Sequence, residues 1–172
     1  MHSSISFSIK HLVVSSVRGK FKDVSGSADF DATTSKLQDI NASINVASID
    51  TDNEKRDGHL QSPDFFDAQK YPTLSFKSTK INREKDKYTV VGDLTIKGVT
   101  KSITLKGNLV GTLKDKDMGN KAGFVAEGKI NRNDFGISWN KTLEMGGLAL
   151  GDEVSLLIEV EMTEEVAVPA AK

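Results

Sequence analysis

The sequence has 172 residues, and its 24 Asp and Glu nearly balance 23 Lys and Arg, which gives a formal net charge of −1. This length suits one domain, and the absence of cysteine excludes disulfides, thiolate metal sites and a thiol nucleophile. The charge balance argues against a nucleic-acid-binding face, and no apolar run approaches the roughly 20 residues that span a bilayer.

Alternation of apolar and polar residues dominates the chain from its first segment, where Ile5, Phe7 and Ile9 alternate with serines. The same period of two recurs in residues 40–46, 88–96, 103–113, 124–130, 135–139 and 154–162, and residues 17–24 and 28–30 are two further predicted strands. Successive side chains of a strand point to opposite faces, so each segment has one apolar and one polar face. The pattern predicts an all-β, antiparallel meander that closes into a barrel of about eight strands and thereby loses its free edges.

Turn residues separate several of these predicted strands. Ser25–Ser27 is expected to be a turn, Glu84–Lys87 a hairpin tip, Lys97–Thr100 a link and Lys114–Asn120 a longer polar loop. Arg132–Gly136 is expected to be a tight loop that leads into a strand carrying Trp139.

Residues 52–69 break the alternation and predict a short helical insertion, with Asp52 or Asn53 as the N-cap. Ser62–Asp64 would open a second short turn, with proline at its first position. We expect this insertion to close one end of the barrel with its main apolar side chains, which are Leu60, Phe65 and Phe66.

The predicted inward face contains both small and large residues. The small ones are Ala42, Gly92, Gly107, Gly111, Ala126 and Gly128, and the large ones are Phe7, Ile9, Phe21, Phe76, Phe135, Ile137 and Trp139. Small residues on an inner face either let another element pack closely or leave space, and a barrel of about eight strands can hold one ligand. A filled core and a lipid tunnel both remain open, and each buried CH₂ of a lipid would contribute roughly 0.8 kcal/mol.

Six longer motifs are distributed over nearly the whole chain, and they are His2–Phe7, Ser48–Leu60, Ser62–Asp67, Lys70–Phe76, Gly92–Lys101 and Ile130–Ile137. In this order they resemble the YceI family of bacterial proteins. The resemblance implies an extended lipocalin-like barrel, here a single domain over residues 1–163 with a flexible tail over 164–172. It also implies a bound polyisoprenoid or related amphiphile and, for many members, a periplasmic location. Family members usually carry several more residues before the opening histidine. Met1–Ser4 shows no basic and apolar pattern of a secretory signal peptide, so the sequence is compatible with either a periplasmic or a cytoplasmic location.

From the residues and the resemblance we predict non-catalytic binding, sequestration or transport of a long-chain isoprenoid or similar lipid. The predicted ligand-binding residues are Phe7, Ile9, His11, Phe21, Arg56, Leu60, Phe65, Phe66, Phe76, Phe135, Ile137, Trp139 and Met145. Met145 belongs to this set because it is adaptable and lies beside Gly146 and Gly147, in a loop expected at the barrel mouth. No cofactor or metal other than the lipid is expected, and the partners would be the apolar ligand, a membrane during lipid exchange and a second copy in a homodimer.

Two alternatives come from other functional classes. Arg56 and His59, with Asp57, Asp64 and Asp67 nearby, could perform acid–base catalysis on a small amphiphile. We favour capping and ion pairing for this cluster, and an intermediate interpretation has Arg56 or His59 touch the ligand's polar head. The three histidines, His2, His11 and His59, lack the short spacing of a zinc site. The third candidate is a stress-response interaction protein with a filled barrel.

Overall fold

The computed structural model describes residues 3–12, 14–143 and 148–165, and within them the chain forms ten strands and one α-helix. The strands are β1 (Ser4–His11), β2 (Ser15–Phe21), β3 (Val24–Asp31), β4 (Lys36–Asn45), β5 (Ile49–Asp50), β6 (Thr73–Glu84), β7 (Lys87–Ile96), β8 (Val99–Leu113), β9 (Lys121–Asn131) and β10 (Leu150–Thr163). The helix, α1, spans Glu54–Gln61, and two 3₁₀ helices span Val46–Ser48 and Arg132–Phe135. No helix in the described part of the chain has the length and apolar character needed to cross a bilayer.

The strands form one antiparallel sheet in the order β3-β4-β6-β7-β8-β9-β10-β1-β2-β5. Only Lys22 and Asp23 separate β2 from β3, although these strands lie near opposite ends of that order. The sheet therefore curls, so that the start of β3 lies next to the end of β2. Two backbone hydrogen bonds hold the junction, from Lys22 N–H to the Ser48 carbonyl (3.2 Å) and from Asn45 N–H to the Asp23 carbonyl (3.0 Å).

The all-β antiparallel class is confirmed, but the predicted number of eight strands is wrong, and the sheet is a curled half-barrel. The turn expected at Ser25–Ser27 lies inside β3, and the chain changes ladder at Lys22 and Asp23 instead. The two-residue β5 is too short to produce a periodic signal in the sequence. Strands β3 and β5 have one ladder neighbour each among the described residues and form the two ends of the sheet.

The hairpins of the central sheet lie where the sequence predicts them. β6 and β7 are joined by Lys85 and Asp86, and β7 and β8 by Lys97 and Gly98. Lys97 and Gly98 have φ values of 51° and 76°, the left-handed pair that a tight hairpin requires. Lys114–Asn120 forms the loop between β8 and β9.

The predicted strand through Phe135, Ile137 and Trp139 is wrong. Asn131 accepts a hydrogen bond from Asn133 N–H (2.9 Å) and starts a 3₁₀ helix over Arg132–Phe135. Gly136, at φ 73°, ends that helix in the left-handed conformation. The residues that follow run as irregular backbone, which the Arg132 side chain holds as described below.

The helical insertion is shorter than predicted. Asn53 caps α1 by accepting a hydrogen bond from Arg56 N–H (3.0 Å), as one of the two expected caps. The helix ends at Gln61 because Ser62 precedes a proline and adopts an extended conformation, with φ −73° and ψ 169°. The helical insertion was expected to run over residues 52–69, but residues 62–69 form turns, among them the second short turn expected at Ser62–Asp64.

Gly58 offers a direct test of the helix. It is exposed within α1, and a Cβ there would meet no atom within 4 Å. Gly58→Ala is therefore expected to raise the free energy of unfolding by roughly 0.5–1 kcal/mol, as measured by urea denaturation. Gly92→Ala is the contrasting control: its Cβ would lie 2.3 Å from Phe76 Cζ and 2.6 Å from the Lys77 carbonyl oxygen, so it should destabilise. Equal effects at the two positions would contradict the placement of Gly58.

Candidate functional site

The curled sheet encloses a cavity of about 1730 Å³. Small-molecule sites usually measure about 300–1,000 Å³, so this space suits a larger occupant. It extends along strands as long as the 15-residue β8, which measures roughly 50 Å at about 3.3 Å per residue. The inward side chains leave this volume unfilled, so the filled-barrel alternative does not describe this molecule.

Glycines in the wall explain how large side chains and an open lumen coexist. The Phe76 ring lies against Gly92, the Leu105 side chain against Gly128, and the Phe7 ring against Gly19. A Cβ at these three glycines would come within 2.3 to 2.5 Å of those side chains. Of the two roles that the sequence left open for small residues, these three glycines perform the first, which is close packing of a neighbouring group. Large side chains lie against the backbone there, and the centre stays clear.

One end of the cavity is closed by aromatic side chains around α1. Phe7, Phe21 and Phe66 form a chain of ring contacts, with centroids 5.8 and 6.0 Å apart. Phe65 and Trp139 pack at 5.3 Å beside them. Phe65 is buried, and Phe135 and Ile137 complete the closure as the most buried side chains of their segment. The insertion thus closes this end, as the sequence predicts.

Arg132 holds the irregular segment that carries Ile137 and Trp139. Its Nη1 donates to the carbonyls of both residues, and its Nε donates to the Gly151 carbonyl, each at 2.8 Å. The side chain is only 5% exposed, and Asp152 is its ionic partner at 3.6 Å. Burial lowers the pKa of Arg132, and the Asp152 carboxylate partly opposes this. Arg132 therefore fixes this segment through these carbonyls and through Asp152.

The cavity opens along the free edge of β3. All residues of 24–32 line it, and so do all of 160–165 at the end of β10. A strand that faces a cavity with one face contributes only every second residue to the lining. Because every residue of these two segments lines the cavity, each segment presents its edge to it. The exposed side chains of Glu164 and Glu165 lie in this rim. The opening is therefore a slit that runs along β3 and the end of β10.

A second aromatic cluster lies in the wall near this opening. The Phe124 ring contacts Phe30 at 5.2 Å and Tyr88 at 5.7 Å, both edge-on. The Tyr88 hydroxyl donates to the Ser35 carbonyl at 2.7 Å. The prediction of site residues missed all three rings, although strand parity already placed Tyr88 and Phe124 on the inward face. Burial raises the pKa of Tyr88 above its ordinary value.

The raised Tyr88 pKa predicts a loss of stability at alkaline pH. The neutral phenol is the folded form, so its stabilisation is present below the unfolded pKa of about 10 and is lost as pH rises through the folded pKa. Tyr88→Phe should cost about 1 kcal/mol at neutral pH, through the hydrogen bond to Ser35. Above about pH 10, the free energy of unfolding of this variant should fall less than that of the parent protein. Parallel pH profiles of urea unfolding would contradict this assignment.

Twelve of the predicted ligand-binding residues line this one cavity. They are Phe7, Ile9, His11, Phe21, Arg56, Leu60, Phe65, Phe66, Phe76, Phe135, Ile137 and Trp139. Met145, the remaining member of the set, lies outside the described residues, and so does His2. Contact of the lining residues with a ligand stays a prediction.

Arg56 serves the structure around the insertion. Its Nε donates to the Thr51 hydroxyl and its Nη2 to the Thr51 carbonyl, both at 2.7 Å. Asp57 accepts from the same hydroxyl (2.6 Å) and from Thr51 N–H (3.0 Å). Thr51 is only 4% exposed. The favoured interpretation, in which this cluster fixes the closed end, fits these contacts.

His59 lies in contact with the aromatic closure. Its ring packs edge-on against Phe65 at 5.0 Å and Trp139 at 4.8 Å, and its Nε2 is 2.9 Å from the Asp64 carboxylate. His59 and Asp64 are both about half exposed. In the part of the chain that the structure describes, no three potential ligand side chains gather as a metal site would require.

Comparisons with known proteins identify the family. The model of the YceI-like domain matches residues 1–162, so the chain belongs to that family. Protein YceI of Escherichia coli O157:H7 is 41% identical over 164 residues, which are 95% of this chain and 83% of that protein.

Solved structures share the fold. The Campylobacter jejuni YceI protein is 40% identical, with a TM-score of 0.80 over 92% of this chain and 91% of that one. A polyisoprenoid-binding domain from Saccharophagus degradans, implicated in plant cell wall breakdown, is 13% identical, with a TM-score of 0.65 over 94% of each chain. At that identity the last likeness concerns the fold alone.

Proposed function

Because the chain is a member of the YceI-like family, we propose that it binds one long-chain isoprenoid or similar amphiphilic lipid and sequesters or transports it. The observation that carries this proposal is the unfilled apolar cavity of about 1730 Å³. An apolar chain enters such a space because its burial removes hydrocarbon surface from water, at roughly 0.8 kcal/mol per CH₂. No directional polar chemistry is needed along most of its length.

The comparisons support the proposal through the fold. The Saccharophagus degradans domain with the same fold binds polyisoprenoids. Fold likeness alone does not assign a ligand, so the apolar character of the proposed ligand rests on the cavity and its lining.

We propose binding without catalysis. Arg56, the cation of the suspected acid–base cluster, donates two hydrogen bonds to Thr51. His59 is held between two rings and Asp64. These contacts favour a fixed closure of the cavity over a site with groups free to move protons.

An apolar patch supports lipid exchange with a membrane. Leu12, Val14 and Leu148 are 40%, 87% and 52% exposed, respectively. Leu12 N–H donates to the carbonyl of Ala149 (2.8 Å), which brings the β1–β2 turn beside Leu148. Exposed apolar side chains at such a turn can insert into the surface of a membrane. The homodimer and the periplasmic location stay predictions of the family resemblance.

A chain-length series tests the proposed function. Prenols of increasing length, titrated by competition with a fluorescent fatty acid, should bind more tightly with each added isoprene unit until the cavity is full. The affinity should then stop increasing. Affinity that is absent, or that does not depend on length, would refute the proposal.

A further inference from the structure

The wall of the cavity has a window between β4 and β6. These strands pair only over Asn41–Asn45 with Thr73–Lys77, yet β4 starts at Lys36 and β6 continues to Glu84. The unpaired half of β4 and the unpaired half of β6 turn away from each other. At the same level the register of β4 against β3 is irregular, and so is the register of β6 against β7.

Side chains hold the two edges of this window where the backbone ladder stops. Ser78 Oγ accepts from Ile40 N–H at 2.9 Å. Arg83 Nη1 donates to the Thr34 carbonyl at 2.6 Å. The hydrogen bond from the Tyr88 hydroxyl to the Ser35 carbonyl lies at the same end of the window as Arg83.

A pocket of about 610 Å³ occupies the window. Leu37 and Tyr88, which are 8% and 3% exposed, line both this pocket and the large cavity, so they form the partition between the two. Three exposed residues, Asp31, Lys36 and Gln38, also line both, so the pocket and the cavity meet at this outer rim. A ligand whose chain lies in the lumen can therefore reach the window past these exposed residues.

The window carries two lysine side chains that have no partner among the described residues. Lys36 and Lys80 are exposed and line the pocket, and neither side chain forms a hydrogen bond or ion pair with another described residue. Arg83 lines the pocket too and has Nη2 available beyond its two carbonyl contacts. Gln38, Ser78 and Thr79 add neutral polar groups.

Two carboxylates also line the pocket. Asp31 accepts hydrogen bonds from Thr33 N–H, Thr34 N–H and the Thr34 hydroxyl. These bonds lower the pKa of Asp31 and direct its carboxylate into its own turn. Asp39 is the second carboxylate, so the three cations exceed the lining anions by one.

From these contacts we infer that the window binds a phosphate monoester, with Lys36 and Lys80 as its main cationic contacts. This rests on the proposed function, because the phosphate that best fits is the head group of a long chain seated in the lumen. Lysine ammonium groups bind phosphate as point charges, and an available guanidinium nitrogen adds a directed hydrogen bond. The shared chemistry is the phosphate group, carried by a lipid or free in solution.

The test compares geranylgeranyl monophosphate with geranylgeraniol by calorimetric titration of the full chain. The phosphate should bind about tenfold or more tightly than the alcohol. The double variant Lys36→Gln/Lys80→Gln should remove that difference and leave the affinity for the alcohol unchanged. Lys87→Gln/Lys106→Gln is the matched control, since it removes two exposed cations that do not line the window.

Inorganic phosphate distinguishes the two sources. Lysine-dependent binding of inorganic phosphate as tight as that of the lipid phosphate assigns the window to free phosphate. Much weaker binding assigns it to the head group. Equal affinity for phosphate and alcohol, or a phosphate preference that survives Lys36→Gln/Lys80→Gln, overturns the inference. Failure of the proposed function is seen separately, as failure of geranylgeraniol to bind.

Discussion

Arg132→Ala is expected to lower the free energy of unfolding by about 3–5 kcal/mol. The guanidinium is 5% exposed and donates to three carbonyls, those of Ile137, Trp139 and Gly151. Alanine leaves these acceptors without their donors in a site from which water is largely excluded, and the irregular backbone there has no ladder to replace them. Chemical denaturation gives the change in free energy directly.

Two further variants make this result specific. Lys129→Ala breaks an exposed ion pair with Glu153 (2.8 Å) near the same sheet end and should cost at most about 1 kcal/mol. Arg132→Lys keeps the charge but cannot reach three diverging carbonyls, so its cost should lie between those two. If Arg132→Ala costs no more than Lys129→Ala, Arg132 does not hold this segment.

Ala126→Trp is expected to weaken the binding of long prenols by about tenfold or more and to change the binding of short ones little. Ala126 lies at the midpoint of β9, beside Gly107 and Ile158 on the neighbouring strands, and all three line the cavity. An indole there should interrupt the lumen partway along its length. Ten lost methylene contacts would amount to roughly 8 kcal/mol gross, so the loss of even a few is measurable.

The control for this substitution is the next residue of the same strand. Glu127→Trp places the same side chain on the exposed outer face and should leave both affinities unchanged. Equal weakening of long and short prenols by Ala126→Trp would point to unfolding or distortion. Unchanged binding of long prenols would show that the chain does not pass Ala126.

The period of two in the sequence was sufficient to predict the central sheet. Tyr88, Val90 and Leu94 alternate along β7 and are all buried. Two-residue hairpins carry their own signals, because Lys97-Gly98 must adopt left-handed backbone. The residues around α1 were predicted to close one end because two phenylalanines interrupt a polar stretch.

Other features depend on contacts between distant residues, and local patterns do not encode them. The alternation of Phe135, Ile137 and Trp139 resembles a strand, but three hydrogen bonds from Arg132 hold that segment in another form. The contact of the Phe76 ring with Gly92 depends on the register in which β6 pairs with β7. The window between β4 and β6 arises where two ladders diverge, and no short motif marks that point.

Native mass spectrometry of the protein isolated from bacterial cells tests the central claim most directly. We expect a mass excess equal to one long-chain lipid per chain, which organic extraction removes and added prenol restores. A protein that carries only its own mass, both as isolated and after incubation with prenol-loaded vesicles, would contradict the account.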